Sequence, residues 1–120
     1  MKKKVLIVDD DLTIINVYKR VLAKNGYEPI VMRSPRKADL ENIPEVDIAI
    51  VDMVMPYVSG FDFVLYLHEK KINIPVLIVS GDKGIARMVT TIRRGELTDG
   101  WLYKPVAGHQ LIAKIEEILS

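Results

Sequence analysis

The chain has 120 residues, enough for one domain that buries about two thirds of the surface its unfolded form exposes. Hydrophobic residues at 49% and charged residues at 28% exclude a disordered chain, and 17 Lys and Arg against 16 Asp and Glu leave a net charge of +1, which disfavours direct nucleic-acid binding. Cysteine is absent, which removes disulfides, thiol catalysis and thiolate metal sites, and no apolar run reaches the length of a membrane span or a secretion signal, so the cytoplasm is the expected location.

Val5 to Val8 reads as a strand, and Leu12 to Asn25 as a helix with its apolar stripe at Ile14, Val17, Tyr18, Val21 and Leu22 and Gly26 just beyond its end. Residues 28 to 32 give a second strand. Ser34 and Pro35 then read as an N-cap and a first-turn proline, opening a short helix that runs to about residue 42. The third strand is Ile48 to Val51, followed by a helix from Gly60 to Lys70 with Phe61, Val64, Leu65 and His68 turned inward. Val76 to Val79 is the fourth strand, Ile85 to Arg93 the fourth helix, and Trp101 to Tyr103 the fifth strand. The last helix packs through Leu111, Ile112, Ile115, Ile118 and Leu119, and it starts without a good N-cap because Ala107 and Gly108 stand there. Strict alternation of five strands with five helices predicts an α/β fold with a doubly wound parallel sheet, in one domain over residues 1–120.

Apolar runs bounded by polar residues fit strands buried on both faces, the signature of parallel sheets. In such a sheet the carboxyl ends of the strands share one edge, where ligands bind. That edge would carry Asp9, Asp10, Asp52, Ser80 and Lys104. Three carboxylates held together repel one another unless a divalent cation joins them, and oxygen-only ligands favour Mg²⁺ over zinc. With an ammonium and a hydroxyl added, the set suits the oxygens of a transferred phosphoryl group. Taken singly, each residue has a plainer reading: Asp9 to Asp11 as helix caps, Ser80 as a loop residue, Lys104 as an ordinary lysine before proline. Their joint delivery by separate strand ends is what favours the site.

The runs VLIVDDD, VDMVMPYVSG, LIVSGD and LYKPV resemble, in order and spacing, the receiver domain of bacterial two-component response regulators over nearly the whole chain. The resemblance implies a flavodoxin-like, five-stranded parallel sheet of order 2-1-3-4-5. It further implies that Asp52 is the phosphoacceptor, that Asp10, Asp52 and the Val54 backbone carbonyl bind Mg²⁺ directly, and that Asp9 acts mainly through a metal-bound water. Ser80 and Lys104 would hold phosphoryl oxygens, with Pro105 following in a cis peptide bond. The donor would be a phosphohistidine on a sensor histidine kinase or phosphotransfer protein, and the acyl phosphate would later hydrolyse. Ser80 and an aromatic residue on strand five would form the switch. Here that residue is Trp101, where Tyr or Phe is usual.

Partners downstream would bind the face made by helix four, strand five and helix five, with no direct nucleic-acid or membrane contact. RRGELTDGW replaces the family's short turn before strand five, so the partner's identity does not carry over. Arg87, Arg93 and Arg94 read as a solvated helix face. Val54 and Asp82 occupy positions expected to set the phosphoryl lifetime. Leu12 and Ile15, off the main stripe of helix one, are candidates for docking the phosphodonor protein, whereas His68 and His109 lack the setting of a phosphorylated histidine.

Two readings compete with this one. LIVDDDLT also fits the aspartate phosphatases of the haloacid dehalogenase superfamily, with Asp9 as nucleophile and Asp11 as acid/base, but that reading leaves Asp52 without a role and lacks a late acidic pair outside a helix. The other is a receiver fold acting as a binding module without phosphorylation. The chain's end fits both a free-standing receiver and a fragment of a longer regulator.

Overall fold

The computed structural model describes residues 2–81 and 99–120. The predicted fourth helix, Asp82, Arg87, Arg93 and Arg94 lie outside the described residues. Five strands, β1 (Lys4–Asp9), β2 (Glu28–Arg33), β3 (Ile48–Asp52), β4 (Val76–Ser80) and β5 (Gly100–Tyr103), form one all-parallel sheet in the order β2-β1-β3-β4-β5. The helices are α1 (Leu12–Lys24), a 3₁₀ helix (Lys37–Asn42), α2 (Gly60–Glu69) and α3 (Gly108–Leu119).

Successive side chains of a strand point to opposite faces, and here both faces are covered. Leu6, Val8, Ala49, Val51 and Ile78 meet Phe63, Val64 and Leu67 of α2 and Leu40 of the 3₁₀ helix. Val5, Ile7, Ile48, Ile50, Leu77 and Val79 meet Ile15, Tyr18 and Leu22 of α1 and Leu111, Ile112 and Ile115 of α3. Helices on both sides of the sheet leave the central strands no solvated face, which is why β1, β3 and β4 read as unbroken apolar runs.

The helix phases differ from the sequence reading. Asp11, in extended conformation, caps α1 by accepting N–H bonds from Thr13 and Ile14 at 2.9 and 3.4 Å. The buried stripe is Ile15, Tyr18 and Leu22; Val17 is 43% exposed, so Ile15 is core and not an exposed docking residue. The apolar residues of α1 allow two phases, and packing against the sheet and α3 chooses between them. A Cβ on Gly108 would come within 3.1 Å of Val21, so the two helices approach closely at the residue that looked like a missing cap. The Ala107 N–H is satisfied instead by Gln110 Oε1 at 3.0 Å.

In α2, Ser59 caps with Asp62 in a reciprocal box, and Phe63, Val64 and Leu67 are the buried residues. Phe61 and Leu65 are half-buried and His68 is exposed, because the helix phase is set at Gly60 and not by the apolar count. Ser34 is not a cap: its φ is +47°, its N–H continues the ladder to the Asp9 carbonyl at 3.0 Å, and Pro35 is buried. Arg36 occupies the N-cap position of the following 3₁₀ helix, six residues long, with no side-chain cap bond of its own; its N–H donates to Asp39 Oδ2 at 2.7 Å.

Replacing Ile15 by Ala is expected to destabilise the fold by about 2–5 kcal/mol, and Val17 by Ala by less than about 1 kcal/mol. Urea denaturation of both variants checks the phase of α1; equal losses would contradict it.

Candidate functional site

Asp9 and Asp52 are the last residues of β1 and β3, Ser80 is the last of β4, and Lys104 follows β5 directly. Parallel alignment therefore brings four strand ends to one edge. The Lys104 N–H donates to the Ser80 carbonyl at 2.9 Å, carrying the ladder one step beyond β5, and the Lys104–Pro105 peptide is cis.

Lys104 Nζ lies 3.3 Å from Asp9 Oδ2 and 3.4 Å from Asp52 Oδ1, bridging the two acids. Asp9, Asp52 and Ser80 are each at most 6% exposed. Asp10 is half-buried, and one carboxylate oxygen from each of Asp9, Asp10 and Asp52 falls within a sphere of mutual distances below 4.8 Å. Asp9 Oδ1 accepts the Asp11 N–H at 2.9 Å, and Asp52 Oδ1 accepts the Val54 N–H at 3.3 Å. The Val54 side chain is 61% exposed. The structure thus brings together Asp9, Asp10, Asp52, Ser80 and Lys104, and it separates them from Asp11, whose carboxylate serves α1 as a cap.

The electrostatics follow from this crowding. Burial, and then the neighbouring Asp9 charge, push the Asp52 carboxyl up to about 6; Lys104 and the Val54 N–H pull it down, while a hydrogen bond with Asp10 raises it. Burial, reinforced by the charges of Asp9 and Asp52, likewise holds the Tyr18 phenol protonated well above its ordinary range. A carboxylate that resists ionisation beside two others is a site short of positive charge, and its donor set is oxygen only. That combination fits a hard divalent cation.

Gly60 sets how close α2 comes to the site. Its N–H donates to the Met53 carbonyl at 3.0 Å, and an added Cβ would overlap the Asp52 carbonyl oxygen and reach 2.7 Å from Met53 Cα. Trp101 is half-buried against the α2 side of the core and meets Tyr103 edge to face, centroids 4.8 Å apart. Arg33, the last residue of β2, is absent from the sequence-predicted site, yet its Nε donates to the Asp10 carbonyl at 3.3 Å. The only signal for Arg33 was a basic residue ending a strand, and register is needed to see that it lies opposite Asp9.

The chain belongs to the response regulator receiver domain family, which it matches over residues 5–116. It is 28% identical to the response regulator MprA of Mycolicibacterium vanbaalenii, over 99% of this chain and 51% of that protein. It is also 28% identical to the phosphoglycerate transport system transcriptional regulatory protein PgtA of Salmonella typhimurium, over 96% of this chain and 28% of that one. The chain therefore spans about half or less of the length of these curated relatives. The solved receiver domain of the Francisella response regulator 1452 superposes with a TM-score of 0.85 at 28% identity, covering 98% of this chain and 97% of that one. Family membership makes this a signalling domain of two-component systems and not a classical enzyme. Response regulators receive signals from histidine kinases and act on downstream targets through phosphorylation-dependent change. No helix among the described residues is long and apolar enough to cross a membrane.

The raised Asp52 carboxyl has a consequence for the metal-free protein. Because the folded state holds this proton more tightly than the unfolded chain, the destabilisation is absent below about pH 4 and grows as pH rises through about 6. In chelator at pH 8, Asp52→Asn is expected to be more stable than wild type by roughly 1–3 kcal/mol, with the difference fading towards pH 4. Guanidinium unfolding across this pH range measures it; a difference that grows as pH falls would have the wrong sign.

Proposed function

We propose that residues 1–120 form a phosphoacceptor switch in which Asp52 is the residue modified. The observation that carries this reading is the double bridge from Lys104 to Asp9 and Asp52, with Ser80 tied to Lys104 through the backbone. An Asp52 oxygen attacks phosphorus in line as the bond from phosphorus to the donor's histidine nitrogen breaks, and that nitrogen keeps the electron pair. The donor is a sensor histidine kinase or phosphotransfer protein. Lys104 and the Ser80 hydroxyl take the phosphoryl oxygens, so Lys104 trades its two carboxylate contacts for a contact that only the phosphorylated form offers.

Asp10, Asp52 and the Val54 carbonyl would hold Mg²⁺, with Asp9 at one remove, and the cation would neutralise the negative charge that crowds this edge during transfer. Later attack by water on phosphorus returns the Asp52 carboxylate and releases inorganic phosphate. The Val54 side chain, two residues beyond Asp52, is 61% exposed and so free to face a water approaching from solvent, which supports a part for it in setting the phosphoryl lifetime.

The change passes to Ser80 and Trp101. Trp101 pairs in register with Ile78, two residues before Ser80, and is already half-buried, so a small further rotation towards the core suffices. The readout face includes β5 and α3, together with chain outside the described residues. A protein partner in the cytoplasm fits the near-neutral net charge better than direct contact with nucleic acid.

Acetyl phosphate with Mg²⁺ is expected to add one acid-labile phosphoryl group to wild type and none to Asp52→Asn, read by intact-protein mass spectrometry. Undiminished labelling of the variant would overturn the assignment. Lys104→Ala is expected to be labelled yet to lose the Trp101 fluorescence change that follows labelling. A full fluorescence response in that variant would remove the lysine from the switch.

A further inference from the structure

Arg33 ends β2, and the parallel register places it opposite Asp9 at the same edge as the acidic cluster. Its position is fixed on both sides. The next residue, Ser34, turns the chain at φ +47° while its N–H holds the Asp9 carbonyl, and the Arg33 Nε holds the Asp10 carbonyl. That contact uses the inner nitrogen of the guanidinium and leaves the terminal nitrogens available. Among the described residues no carboxylate pairs with Arg33, whereas Lys104 is already engaged by two. Arg33 is also exposed, so its charge faces the solvent from which a phosphodonor arrives.

Resting on the phosphoacceptor reading above, we propose that Arg33 is a positioning residue that receives the anionic phosphodonor at the mouth of the site. Once a divalent cation and Lys104 balance the three carboxylates, the cluster is close to neutral and exerts little pull on a phosphoryl dianion. Arg33 supplies that pull from the rim. Its planar donor fork suits phosphate oxygens, and it makes no contact with Asp52, so it acts on capture of the donor and not on the bond-making step.

The test is the rate of labelling by acetyl phosphate for wild type, Arg33→Gln and Arg33→Lys at several salt concentrations, together with Mg²⁺ affinity by calorimetry. At low salt and subsaturating donor, Arg33→Gln is expected to be about 3- to 10-fold slower, with the deficit closing as salt screens the charge, while the rate at saturating donor is unchanged. Arg33→Lys should recover most of the loss. Mg²⁺ should bind Arg33→Gln as tightly as wild type or more so, because a positive charge has left the rim. Equal subsaturating rates for wild type and Arg33→Gln would overturn the proposal. So would a salt-independent loss shared by both variants with weakened Mg²⁺ binding, which would make Arg33 only a tether for the Asp10 backbone. Failure of wild type itself to be labelled would instead overturn the phosphoacceptor reading.

Discussion

Two buried carboxylates share one ammonium at the carboxyl edge of this sheet, with a third acid a few ångströms away. The rest of the site is arranged around that imbalance of charge. Lys104 meets Asp9 and Asp52 at nearly equal distances, so one cation is divided between two anions, and burial together with the Asp9 charge keeps the Asp52 carboxyl reluctant to ionise despite that lysine. Breaking such a buried arrangement by removing its cation leaves uncompensated charge, whereas adding a cation or moving charge outward relieves it. A divalent ion held there would add two positive charges beside these acids and so would relieve the repulsion directly.

The fold makes the imbalance possible. Burial of β1, β3 and β4 on both faces fixes their register, and their final residues are therefore held at one level without any flexible loop between the core and the chemistry. The close seat of α2 sets Gly60 directly against the Asp52 and Met53 backbone. On the opposite side of the sheet, α1 begins with its own acid as a cap, so the sequence Asp9-Asp10-Asp11 divides its labour: the first two face the cluster and the third serves the helix. The ladder bond from Lys104 to Ser80 links the β5 end to the β4 end, so the lysine is joined to Ser80 through that bond and to Trp101 along β5 itself.

The strands and the edge they form were legible in the sequence because complete burial writes itself as unbroken apolar runs, and because each run ends in a polar residue. The phases of the helices were less legible. In α1 the apolar residues satisfy two stripes, and the choice of Ile15 over Val17 depends on burial against β1, β3 and β4 and against α3, elements far apart in the chain. In α2 the phase follows from backbone contact at Gly60, which leaves His68 outside. Ser34 carries the residue type of a cap but spends its N–H on the end of a strand ladder. Three adjacent aspartates could not be sorted by type alone; their hydrogen bonds sort them. Arg33 needed the β1–β2 register before its place beside the acids could be seen.

The most direct test of the charge imbalance is calorimetric Mg²⁺ titration of wild type, Asp10→Asn and Asp11→Asn at neutral pH. One Mg²⁺ per chain is predicted for wild type, strongly weakened binding for Asp10→Asn, and near wild-type affinity for Asp11→Asn, whose side chain caps α1 outside the cluster. No binding to wild type, or equal weakening in the two variants, would contradict the view that Asp9, Asp10 and Asp52 form a cation site distinct from the helix cap beside it.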